Sequence, residues 1–175
     1  MKNIQTNKQK AIDEKEVDFL IREYAVTRQH PSNILIHFVC IPLGMFSLLG
    51  LAWSIPFPYL EFLGRYNGYV NWASFLIAFG IYYYYRLSPV FSYMMLLLVF
   101  AMSMIVVQFE KWELLGGPAL WLVSAFFLLL ASVALFIGRK IEGKHTPLLN
   151  RVKFMLIGPI WILKLLSNKI GFKMR

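Results

Sequence analysis

The sequence predicts an all-α polytopic membrane protein: four transmembrane helices, preceded by an amphipathic helix and followed by an interfacial one. Three observations lead there. First, 58% of the 175 residues are hydrophobic and 17% aromatic, while 15% are charged, against about 25% in soluble proteins. Mean hydropathy is +0.58, and so little charge cannot cover a water-facing surface. Second, the apolar residues come in runs long enough to cross a bilayer. Third, the basic residues alternate between the connections in the way the positive-inside rule demands.

Residues 1–10, rich in Lys, Asn and Gln, lack apolar content to bury and are expected to form a disordered tail ahead of a single membrane domain over 11–175. Val17, Leu20, Ile21 and Tyr24 recur at helical spacing, with Asp18, Arg22 and Glu23 on other faces. That pattern describes a short amphipathic helix lying on the membrane or packing on its neighbours. Pro31 suits the first turn of a helix, where a missing amide proton costs nothing, so His30 or a neighbour is expected to cap the first span.

The spans are expected at about 34–55, 69–85, 88–109 and 118–138. Ile34 to Ile55 is 22 residues with His37 as its one Asp, Glu, Lys, Arg or His; Ser88 to Phe109 (22) and Pro118 to Gly138 (21) have none. Each exceeds the roughly 20 residues that cross about 30 Å of hydrocarbon as a helix. Tyr69 to Tyr85 has only 17 residues, but Trp72 and Tyr82 to Tyr85 place aromatic rings near both its ends, as headgroup layers favour. The apolar stretch Phe154 to Leu163, broken by Gly158 and Pro159, is too short to cross and reads as interfacial or re-entrant.

Six Lys or Arg precede the first span, Arg86 lies between spans two and three, and nine fall in 139–175; Arg65 and Lys111 alone occupy the other connections. Sixteen of eighteen basic residues thus share one side, which places both termini in the cytoplasm. With Glu142 its one acid, 139–175 carries a charge of +8 and is attracted to anionic lipid at about 1 kcal/mol per basic residue. Nucleic acid is a poor partner, because the aromatic and basic residues are segregated into layers rather than interleaved. The single cysteine, Cys40, excludes an internal disulfide.

This topology puts 28–37 and 138–147 at the same membrane boundary, and all three histidines, His30, His37 and His145, lie in those two segments. Asn33 and His37 are one turn apart and share a helix face. From the residues alone, His37 is either a packing group hydrogen-bonded to Asn33 or to a neighbouring helix, or a functional group within the membrane. His145 is either an exposed loop residue or a metal ligand, and Glu142 either an ion-pair partner of Lys140 and Lys144 or a ligand. His30 and His37 are about 10 Å apart along a continuous helix, too far to chelate one ion. Imidazole plus carboxylate with open positions is the non-haem iron pattern. No nucleophile arrangement, paired carboxylates or phosphate-binding glycine loop is apparent.

The segments HPSNILIH at 30–37, IPLG at 41–44, WSIPFP at 53–58, RLSP at 86–89, FIGRKIEGK at 136–144 and LIGPIW at 156–161 together resemble the Mpo-like family, named for metabolism of phytosphingosine to odd-numbered fatty acids. The resemblance covers the chain from about residue 17. It implies an iron(II)-dependent, membrane-embedded dioxygenase that shortens 2-hydroxy fatty acids by one carbon in fatty acid α-oxidation, releasing carbon dioxide. A bacterial inner membrane fits the family's bacterial members.

The family's first motif, His, two residues, Pro, one residue, Asn, three residues, His, falls on Arg28, Pro31, Asn33 and His37. Its second histidine position, after PheIleGly, is Arg139, and Leu135 stands where Gln is common. The resemblance therefore implies His37 as an iron ligand oriented by Asn33, with His30, His145 and Glu142 as the remaining candidate ligands. A guanidinium has no lone pair for a metal. Arg28 and Arg139 support an alternative in which they bind the carboxylate of a fatty acid, or an anionic lipid headgroup, without oxidising it.

Overall fold

The computed structural model describes residues 17–143 and 148–169; the expected tail at 1–10 and His145 lie outside them. The chain is 86% helix without strands among the described residues. Helix α1 covers 17–26. It is followed by α2 (Pro31–Ser54), a 3₁₀ segment (Glu61–Tyr69), α3 (Trp72–Leu87), α4 (Pro89–Leu114), α5 (Leu120–Glu142) and α6 (Leu148–Lys169).

Local chemistry sets the boundaries. Pro31 opens α2, and Nδ1 of His30 accepts from the Ser32 amide. Asn71 and Ser74 form a reciprocal capping box at the start of α3. Pro89 restarts the chain one residue after α3, folding α3 and α4 into a hairpin. Gly143, at φ 67°, ends α5 in the left-handed conformation.

Helices α2, α4 and α5 are long and apolar enough to cross a membrane. Their outer surface is apolar, with Leu97, Phe100, Phe126 and Leu129 all exposed, as lipid contact permits and water does not. The fourth expected span, α3, has 16 residues, or about 24 Å.

Helices α2 and α5 form the most extensive pairing and run antiparallel. At one end Gly138 lies against Asn33 and Ile36; at the other Gly50 lies against Ser124 and Leu120. Either glycine would collide with its neighbour if it carried a Cβ, so both are required for close approach. One core cluster joins Val17, Ile21 and Tyr24 of α1 to Tyr84, Met95 and the α6 residues Ile157 and Ile160; the other, nearer the far end, joins Phe46, Leu49, Met102, Val106 and Leu120.

Two placements refine the sequence reading. Residues 157–163 of α6, the stretch read as interfacial or re-entrant, are all buried, because Gly158 lets the helix close on Ile41 and Tyr24. Its Lys164 pairs with Asp18 of α1 at 2.5 Å. In the tyrosine run, Tyr82 and Tyr85 are exposed, whereas Tyr84 is buried and donates to the Leu156 carbonyl at 2.9 Å.

Candidate functional site

The start of α2 and the end of α5 meet, as the charge pattern requires. Glu142 Oε1 accepts from the Gln29 amide at 2.8 Å, and Oε2 accepts from the His30 amide at 3.2 Å and from Asn33 Nδ2 at 2.9 Å. A carboxylate belongs at this place, because the first amides of α2 are unpaired within the helix and the helix dipole is positive there. Asn33 is 1% exposed, and among the described residues its Oδ1 has no hydrogen-bond partner; it lies against Gly138.

His37, 5% exposed, turns to α1 rather than to Asn33. Arg28 Nε donates to its Nε2 at 3.1 Å. The remaining ring proton then sits on Nδ1, 3.2 Å from the Tyr24 hydroxyl oxygen that accepts it. The Arg28 guanidinium lies over the Tyr24 ring at 3.6 Å and donates to the Tyr24 carbonyl and Thr27 Oγ1. Burial pushes the Tyr24 phenol up to about 12 against the opposing pull of Arg28. Burial also draws the Arg28 pKa down; Tyr24 opposes this, the Arg139 cation adds to it and Glu142 offsets part of it.

Beside this cluster lies a cavity of about 390 Å³. Its walls are one face of α2 (His37, Cys40, Ile41, Gly44, Met45, Leu48) and one face of α5 (Leu128, Ala131, Ser132, Leu135, Arg139). Tyr24 and Arg28 line the same end as His37 and Arg139, with Tyr84, Leu156 and Pro159 completing the wall. Both sets on α2 and α5 repeat at the three- and four-residue steps of a single helix face. The cavity is apolar along its length and cationic at one end. Among the described residues, Arg139 makes one hydrogen bond, from Nε to the Leu135 carbonyl at 3.2 Å.

As they stand, these residues do not fit an iron(II) ion. The His37 Nε2 lone pair is taken by Arg28, and Nδ1 is turned to Tyr24. The Glu142 carboxylate already accepts from three donors, while two guanidinium groups line the adjoining space. Among the described residues, no group of three or more His, Cys, Asp or Glu could hold a metal.

The structure brings Arg28, His37 and Arg139 to one cavity and Asn33, His30 and Glu142 to the neighbouring helix junction, where the His30 ring is engaged at the cap. Tyr24 is the site residue that sequence reasoning missed, having been assigned only to the amphipathic face. Its spacing of four from Arg28 was the available signal. Tyr84, Gly44 and Ser132 carry no motif that would have marked them as cavity residues.

No curated protein and no solved structure matches this chain. The family model described as 2-hydroxy-palmitic acid dioxygenase Mpo1-like matches residues 15–170, which takes in every helix described above. With both signature segments packed against one another across α2 and α5, the chain belongs to the Mpo1-like family.

Proposed function

We propose that this protein is a four-span membrane protein that takes a 2-hydroxy fatty acid into the cavity between α2 and α5, with the carboxylate at Arg28 and Arg139. The observation that carries the reading is the apolar cavity with two arginines at a single end. A guanidinium fork matches a carboxylate, and the pairing strengthens where water is scarce. The family description supplies the substrate class. Ser132 and Leu156 line the cavity and are themselves exposed, as an opening through which the acyl chain loads from the bilayer would require.

Topology supports the fourth span. Helix α2 ends, and α5 begins, at the end remote from Asn33. Trp72, opening α3, donates to the Pro56 carbonyl just beyond α2, and Glu113, closing α4, accepts from the Leu120 amide. The hairpin of α3 and α4 therefore starts and finishes at that far end, so α3 must traverse whatever α4 traverses. Its length of about 24 Å is accommodated by local thinning of the bilayer. An even number of crossings keeps both termini on the basic, cytoplasmic side.

The test is retention of radiolabelled 2-hydroxypalmitate by the purified protein in nanodiscs. Arg139→Gln removes one charge-assisted contact and lowers affinity by about ten- to a hundredfold, whereas unchanged retention in both Arg139→Gln and Arg28→Gln overturns the reading. The family description favours a second reading, in which dioxygen is the oxidant, iron(II) would assist, and the bound 2-hydroxy fatty acid gives the acid one carbon shorter with carbon dioxide and water. That reading requires Arg28 to release His37, with His30, His145 or Glu142 supplying further donors. Stoichiometric iron in anaerobically purified protein, with conversion of 2-hydroxypalmitate to the acid one carbon shorter, supports it; metal-free protein without turnover after iron addition rejects it.

A further inference from the structure

We infer that Gly44 sets the length of acyl chain this protein accepts, an inference that rests on the fatty acid reading of the cavity. Gly44 lines the cavity on the same face of α2 as His37 and Leu48. A Cβ built on it meets nothing within 4 Å. This separates it from Gly50, Gly138 and Gly158, whose missing side chains are filled by a neighbouring helix. Helix packing therefore does not call for glycine at position 44. A glycine inside a helix costs about 1 kcal/mol relative to alanine, and the open space in front of it is the cavity itself.

Its depth gives the consequence. Leu48 is eleven residues beyond His37 on α2, and Leu128 is eleven before Arg139 on the antiparallel α5, so the cavity runs about 16 Å from the arginines to those leucines at 1.5 Å per residue. Tetrahedral carbons joined by bonds of about 1.5 Å advance about 1.25 Å each, so this depth takes about 13 carbons of an extended chain. Gly44 lies at about 10 Å, or about eight carbons. A branched side chain there closes the lower half of the cavity and leaves the arginine end intact.

The experiment compares wild type, Gly44→Ala and Gly44→Leu, as full chains in nanodiscs, for retention of radiolabelled 2-hydroxyoctanoate and 2-hydroxydodecanoate, whose twelve carbons fit the full depth. Wild type and Gly44→Ala are expected to favour the longer acid equally. In Gly44→Leu the preference for 2-hydroxydodecanoate falls at least about tenfold, the loss that two excluded methylenes alone would cause, with 2-hydroxyoctanoate retained as before. An unaltered preference in Gly44→Leu overturns the inference while leaving the fatty acid reading in place. Failure of Gly44→Leu to fold also overturns it, because the position would then not be open. If wild type retains neither acid, the fatty acid reading itself fails.

Discussion

Glu142→Ala removes a carboxylate that ties the start of α2 to the end of α5. The carboxylate accepts from two backbone amides and from Asn33 Nδ2. The Gln29 and His30 amides are exposed enough for water to replace it, so their loss amounts to an N-cap, about 1 kcal/mol. Asn33 is different. At 1% exposure its amide loses its acceptor, which costs about 1 to 3 kcal/mol. Removing an anion from the last turn of α5 returns a few tenths of about 1 kcal/mol. The net loss is about 2 to 3 kcal/mol, a fall in melting temperature of about 5 to 10 °C for a domain of this size. Cys40 is the single cysteine and is buried, so a thiol-reactive dye reports unfolding in detergent directly. In an Asn33→Ala background the cost of Glu142→Ala should drop by at least about 1 kcal/mol, since the pair is coupled. A Glu142→Ala chain that melts with wild type, or costs that simply add in the double variant, would refute the reasoning.

Further outcomes follow from the same contacts. Gly138→Ala drives a methyl to 2.5 Å from Asn33 Oδ1 and should destabilise by about 1 to 3 kcal/mol in the same melt. Ser124→Ala removes a fully buried hydroxyl that has no hydrogen-bond partner among the described residues, so its melting temperature should equal or exceed that of wild type; a lower one would mean the hydroxyl is satisfied. The folded state holds the Tyr24 phenol at about 12, above the free value of about 10. Its contribution is complete below pH 10 and is lost as pH rises toward 12, so stability of Tyr24→Phe should decline less steeply over that window. Arg28→His combined with Arg139→His replaces both guanidinium groups with imidazoles and should raise iron affinity; flat iron content would show that these are not the ancestral ligand positions.

Much of the site was legible in sequence because charge placement is a topological signal. The unequal spread of the eighteen basic residues among the connections led to the expectation that 28–37 and 138–147 share a boundary, and Glu142 is in contact with Gln29, His30 and Asn33. The burial of Asn33 and His37 followed from their one-turn spacing. Their partners were left open: periodicity assigns a face, and cannot say which neighbour reaches it, so His37 was read against Asn33 or a neighbouring helix, and it is Tyr24 of α1 and Arg28 of the connection after it that approach. Helix α6 was left between an interfacial and a re-entrant placement for a related reason: ten apolar residues broken by Gly and Pro are too short to cross, and nothing in their pattern shows that Gly158 is the feature that admits this segment to the bundle. Gly44 was invisible because glycine for open space and glycine for close packing read identically in a sequence.

The central claim is that an acyl chain lies between α2 and α5 with its carboxylate toward the arginines. Photocrosslinking of the nanodisc-embedded protein with a 2-hydroxy fatty acid carrying a diazirine at its methyl end tests this most directly. Label on Met45, Leu48 or Leu128 is the expected result. Label confined to lipid-facing residues such as Phe79 and Leu97 would contradict it.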